Sequence, residues 1–189
     1  MKKIAIILTA VLLVACGNQN KKEQPEQETT PEIAEQTTTE EEQEVPILLG
    51  IQKREALQKA PYNEWFDENY AYTPDEETLK ALSKELNDKT ITVFMGTWCG
   101  DSKMQVPAFF KILDAINFDE NNVEIITMSR DKDTPEKLEE GYNIEFVPTI
   151  IVKKDGKELG RIVESPVDTL EADLLTIASG KAYKHIYAE

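Results

Sequence analysis

At 189 residues, the chain has room for one compact domain of ordinary size and little besides. Its formal charge of −15, from 36 acidic against 21 basic residues, gives a surface that repels nucleic acid. Its two cysteines, Cys16 and Cys99, are too few for a multi-bridge disulfide framework.

The chain opens with Lys2 and Lys3, an apolar run from Ile4 to Val14, and small residues before Cys16. That run is short for a bilayer span, and its flanks fit a cleaved export signal over residues 1–15. Leu13-Val14-Ala15-Cys16 resembles the lipobox of bacterial lipoproteins. The resemblance implies a diacylglyceryl group on the Cys16 thiol, cleavage before it, and Cys99 left as the free thiol. Gly17 and Asn18, with no Asp directly after the cysteine, resemble the default sorting pattern of Gram-negative lipoproteins. The expected location is therefore the bacterial cell envelope, at the outer membrane and facing the periplasm.

From Gly17 to Val45 the chain is almost wholly Glu, Gln, Thr, Lys, Asn and Pro, with Ile33 and Ala34 the only apolar residues before Val45. Such a composition cannot bury enough surface to offset its ordering entropy, so residues 16–45 read as a lipid anchor and a disordered acidic tether.

A folded region is expected over residues 46–189. It begins with an N-terminal extension rich in aromatics, including Tyr62, Trp65, Phe66, Tyr70 and Tyr72, which core packing explains more economically than a ligand platform. Thr73 or Asp75 can cap a helix running to about Asn87, with Leu79, Leu82 and Leu86 as its buried stripe. Thr90 to Gly96 then reads as a buried strand that turns through Thr97 and Trp98 into a helix starting near Cys99, with Pro107 expected to kink it. A second strand at Val123 to Met128 is followed by a short helix predicted near Thr134 to Glu140. Next come Thr149 to Val152, an Asp155-Gly156 turn, and Glu158 to Val163, a strong hairpin pattern. A last helix from about Val167 to Ser179 precedes a tail ending in Tyr183-Lys184-His185-Ile186-Tyr187. This order predicts an α/β fold: a mixed central sheet with helices available for both faces.

Trp98-Cys99-Gly100-Asp101-Ser102-Lys103-Met104 followed by Pro107 ends a strand and opens a helix, and it resembles the Trp-Cys-x-x-Cys-Lys-Met-x-x-Pro motif of the thioredoxin family. A Ser stands where the second Cys would be. Phe146-Val147-Pro148-Thr149, ahead of a strand and an Asp-Gly hairpin, resembles the cis-proline loop of the same family. Together the two cover most of a core at about 75–180. The resemblance implies a thioredoxin-like fold, with Pro148 cis and facing Cys99, and with Trp98, Cys99, Ser102 and Pro148 as the reactive set. It also implies that the Val147 backbone and Thr149 hold a substrate strand.

A helix start suits such a cysteine. A thiolate is the attacking species, and the unpaired amides there carry partial positive charge. Ser102 can offer its hydroxyl to that sulfur but cannot close a disulfide, so the motif predicts a one-cysteine cycle or none. Val93 stands six residues before Cys99, where thioredoxins carry a buried Asp. Asp101 and Glu164 are expected to modulate the site by giving it an acidic rim that disfavours the thiolate. His185, the only histidine, lies on the tail with no second ligand at metal spacing, which argues against a metal or a protease arrangement.

Two functions follow from these residues. In the first, Cys99 carries thiol-disulfide exchange with envelope proteins or small thiols through mixed disulfides, with no cofactor. In the second, the same groove is a non-catalytic module that binds peptides or proteins. An iron-sulfur carrier shares only Cys-Gly-x-Ser with its glutaredoxin analogue, and no basic glutathione-binding set is recognisable.

Overall fold

The computed structural model describes residues 45–188; the export signal expected at 1–15, the Cys16 anchor and the tether up to residue 44 lie outside the described residues. Among the described residues, no helix is long and apolar enough to cross a membrane.

The sheet has five strands in the order β1-β3-β2-β4-β5. These are β1 (Gly50–Gln52), β2 (Thr90–Met95), β3 (Val123–Thr127), β4 (Thr149–Lys154) and β5 (Lys157–Val163). β2 runs parallel to β3 across a helical crossover, while the β1, β4 and β5 pairings are antiparallel. In β2 every residue after Thr90 is buried, as a central strand covered on both faces must be. Asp155 and Gly156 both take positive φ, 51° and 76°, the backbone that a two-residue hairpin turn requires.

The helices are α1 (Arg54–Leu57), α2 (Asn63–Tyr70), α3 (Glu76–Glu85), α4 (Gly100–Ala115) and α5 (Leu170–Ala178). Asp75 caps α3 by accepting from the Thr78 amide at 2.8 Å, and Leu82 and Leu86 are fully buried beneath it. All five helices contribute to one core, formed on the sheet face that carries Ile91, Val93, Met95, Ile150 and Val152. Burying each large apolar side chain there contributes about 2 kcal/mol.

The opposite face, through Phe94, Ile126 and Ile151, packs on Cys99, Met128 and Val147 and on the irregular segment carrying Leu138, Tyr142 and Ile144. The helix predicted near Thr134 to Glu140 does not form, and among the described residues turns rather than a helix cover this face. Thr134 Oγ1 accepts the Leu138 amide at 2.8 Å, while Glu139 accepts both the amide and the hydroxyl of Thr134. These bonds fold the segment into turns, and Lys137, Gly141 and Asn143 take positive φ, which a helix does not accommodate.

The extension packs on the domain as expected and adds an edge strand the sequence did not signal. Phe66 enters the core beside Phe110, with ring centroids 6.3 Å apart. Arg54 forks onto Asp114 of α4 at 2.9 and 2.6 Å, with its guanidinium 4.8 Å from the Phe110 ring centroid. Although burial works against ionisation, hydrogen bonds from Arg54 and Tyr70 hold the Asp114 carboxyl below its ordinary range. α4 continues through Pro107 to Ala115.

Candidate functional site

Strand β2 ends at Met95, and the chain reverses over Gly96-Thr97-Trp98 before α4 begins. Gly96 is required by space: a Cβ there would stand 2.5 Å from the Trp98 indole. The indole is fixed by donating its N–H to the Met128 carbonyl at 3.0 Å, and the Arg130 guanidinium lies 5.3 Å from its centroid. On this flank a cleft of about 490 Å³ opens between Trp98, Lys103, Arg130 and the extension residues Val45 to Ile47. Leu48 donates its amide to Thr97 Oγ1 at 3.3 Å, which pins the extension to the turn.

Cys99 is the N-cap of α4, with extended backbone at φ −87° and ψ 128°, so its side chain stands at the tip of a sixteen-residue helix. Its thiol donates to the Val147 carbonyl across the site at 3.0 Å. The Val147-Pro148 peptide bond is cis. The two motifs therefore meet face to face.

A cysteine at a helix start beside a strand end is expected in solvent, and here the structure corrects that expectation. Cys99 is 9 % exposed, because Val147, Met128 and Phe94 pack around it at one end of the second core.

Ser102 is fully buried, and its hydroxyl oxygen accepts the Gly96 amide at 3.2 Å. Among the described residues no hydrogen bond joins it to Cys99. Thr149 is also buried and donates its hydroxyl to the Phe146 carbonyl at 2.7 Å, which shapes the proline loop from within. Val93 lies wholly in the helix-covered core. Asp101 occupies the first turn of α4. Glu164, with φ 59°, donates its amide to the Pro148 carbonyl at 2.7 Å, so the loop after β5 borders the proline loop directly.

Sequence reasoning passed over two neighbours of the site, Arg130 and Tyr187, and gave Gly96 and Phe146 no role beyond their place in the turn and the proline motif. The tail folds back so that the Tyr187 ring lies flat on Phe146, with centroids 4.3 Å apart and planes within 14°, and its phenol donates to Glu164. Hydrogen bonding to Glu164, then partial burial and the charges of Glu164 and Asp101, raise the Tyr187 pKa above its ordinary 10.0. His185 accepts the Tyr187 amide at Nδ1, 3.3 Å away. Among the described residues no cluster of three His, Cys, Asp or Glu side chains is placed to hold a metal ion.

The family model described as Thioredoxin matches residues 72–176. The chain is 32% identical over 88 residues to thioredoxin H2 of Arabidopsis thaliana, a match covering 47% of this chain and 62% of that protein. It is 34% identical over 90 residues to a thioredoxin of Echinococcus granulosus, covering 47% and 77%. The chain thus spans less than two thirds of the length of the plant relative. Among solved structures, the crystal structure of mitochondrial thioredoxin 3 from Saccharomyces cerevisiae is 28% identical, with a TM-score of 0.31 over 46% of this chain and 74% of that one.

Proposed function

The chain belongs to the thioredoxin family and has its fold, and on that premise we propose that it carries out thiol-disulfide exchange through Cys99 alone. The observation that carries this reading is the Cys99 sulfur, at the tip of α4 and 3.0 Å from the Val147 carbonyl beside Pro148. A substrate strand paired with the Val147 backbone brings its own sulfur beside that of Cys99.

Cys99 loses its proton to solvent, and its thiolate attacks one sulfur of a disulfide R–S–S–R′. The Cys99–S–S–R bond forms, the old S–S bond breaks, and R′S⁻ leaves. A low-molecular-weight or protein thiolate R″S⁻ then attacks the R sulfur, which releases R–S–S–R″ and returns the Cys99 thiolate. Ser102 stands where a resolving cysteine would, so the resolving sulfur comes from outside. Trp98 and Pro148 wall the reacting sulfur, while Asp101 and Glu164 supply the acidic rim.

We place this chemistry in the bacterial cell envelope. The support is the leader at residues 1–15, the lipobox-like Leu13 to Cys16, and the polar stretch after it. In this reading the acyl chains on Cys16 hold the protein at the outer membrane, facing the periplasm, with envelope proteins or small thiols as partners.

The deciding experiment uses the full chain with Cys16→Ser, so that Cys99 is the sole thiol. Challenged with envelope extract, this protein is expected to form adducts that disappear on reduction, and the further change Cys99→Ala to form none. Absence of adducts would sink the exchange reading. The 9 % exposure of Cys99 and the missing second cysteine favour one competing reading, a binding module that uses the Val147 groove without chemistry. Full rescue of a deletion phenotype by Cys99→Ala would establish it.

A further inference from the structure

Two tyrosines anchor the segment after α5. Gly180, with φ 71°, turns the chain away from the helix, and the Lys181 amide returns to the Thr176 carbonyl at 3.2 Å. Tyr183 then donates its phenol to the buried Asp173 carboxylate at 2.7 Å, the first anchor. A turn closed by the Ala188 amide on the His185 carbonyl at 2.9 Å presents Tyr187, the second anchor, to the proline loop.

The position of Tyr187 is informative. Its ring covers Phe146, the residue before Val147, and its phenol holds Glu164, whose amide is bonded to the Pro148 carbonyl. One side chain therefore bridges both neighbours of the Val147-Pro148 pair.

An extended strand pairing with Val147 has to continue past Phe146, where Tyr187 now lies. From this we infer that Tyr187 is a specificity-determining residue: the tail occupies the Phe146 side of the substrate path, admitting small disulfides to Cys99 and excluding extended peptides until it lifts. The inference rests on the exchange reading and adds the substrate class. Peptide substrates pay for displacement of the tail, which lowers their apparent affinity by the fraction of molecules in which the tail is undocked. Small disulfides do not.

The test uses the full chain with Cys16→Ser and two probes that release the same chromophore. One is dithiodipyridine. The other is an extended peptide with a central cysteine carried as its pyridylthio disulfide and several residues on either side. In each case the Cys99 thiolate forms a disulfide with the probe sulfur and expels pyridinethiolate. Tyr187 is 46 % exposed, so Tyr187→Ala leaves the core untouched.

Tyr187→Ala is expected to raise the peptide rate about tenfold while the dithiodipyridine rate stays within about twofold. Tyr187→Phe keeps the ring contact and loses the phenol bond, so its peptide rate should fall between. An unchanged ratio of peptide to small-probe rates in Tyr187→Ala would overturn the inference and leave the exchange reading standing. If neither probe reacts in any variant, the exchange reading itself fails, and the substrate selectivity falls with it.

Discussion

Ser102 Oγ accepts the Gly96 amide hydrogen across 3.2 Å, so the residue that replaces the second cysteine of the motif ties the first turn of α4 to the end of β2. Both partners are buried. Ser102→Ala leaves the Gly96 amide unsatisfied and is expected to cost about 1–3 kcal/mol, read as a shift of the urea midpoint. Ser102→Cys supplies a weaker acceptor and a second sulfur. Insulin reduction by the parent chain is expected to be poor, because it cannot close its own disulfide. In Ser102→Cys turnover should appear, together with loss of free thiols on oxidation. Brisk turnover by the parent would contradict the one-cysteine cycle.

Arg54 and Asp114 fasten the extension to α4. The Arg54 side chain is only 12% exposed and lies among the rings of Phe66, Tyr70 and Phe110. Asp114→Ala leaves that cation with the Glu120 carboxylate, 3.7 Å away, in place of its two-pronged partner, and a loss of about 2 kcal/mol is expected. The pH dependence has a definite sign. The folded-state carboxyl is held below its ordinary value of 3.8, so the stabilisation is present above pH 3.8 and is lost as pH falls through the depressed value. Asp114→Asn should therefore flatten part of the acid limb of stability measured by urea unfolding. Parallel limbs in parent and variant would refute this.

Gly96 has no room for a methyl group. The indole a Cβ would strike is held by its bond to Met128 and cannot swing aside without breaking it. Gly96→Ala is expected to destabilise the domain by about 1–3 kcal/mol and to change the near-ultraviolet circular dichroism of Trp98. A spectrum and a melting temperature like the parent's would show that the turn yields more readily than its contacts imply.

The reactive half of the site was legible because its signals are local. A strand, a Trp-Cys turn and a helix start lie within a dozen consecutive residues, and Val147-Pro148-Thr149 carries its own motif. What escaped the sequence depends on distant partners. β1 is three residues long and exists through its pairing with β3 from Gly50 to Gln52. The segment 134–140 has helical composition, but hydroxyl and carboxylate bonds from Thr134 and Glu139 fold it into turns. Glu171 and Asp173 are acidic residues of α5, yet both are buried. Glu171 accepts from the Tyr72 phenol and the Asp75 amide, and Asp173 from the Val167 amide and the Tyr183 phenol. The burial of Cys99 belongs to the same class, since it depends on how closely a loop forty-eight residues later approaches.

The tail's hold on the site should be alkali-sensitive. Tyr187 ionises above its ordinary value of 10.0 when docked, because its phenol hydrogen bonds to Glu164, and because Glu164 and Asp101 oppose a second negative charge. A group whose pKa is raised on docking stabilises the docked form below its free value, and that contribution is lost as pH rises through the raised one. Tyr183, bonded to buried Asp173, is raised as well, first by burial and then by that bond, and it sits deeper in the domain. The Tyr187 end is therefore expected to let go first. The ring-proton signals of Phe146, shifted by the stacked ring at 4.3 Å, report this directly. They should move toward unstacked positions above pH 10 in the parent, while Tyr187→Phe, which has no proton to lose, shows a smaller stacking shift that alkali does not alter. A Phe146 signal indifferent to alkali in the parent would mean that the bond to Glu164 contributes nothing to holding the tail in place.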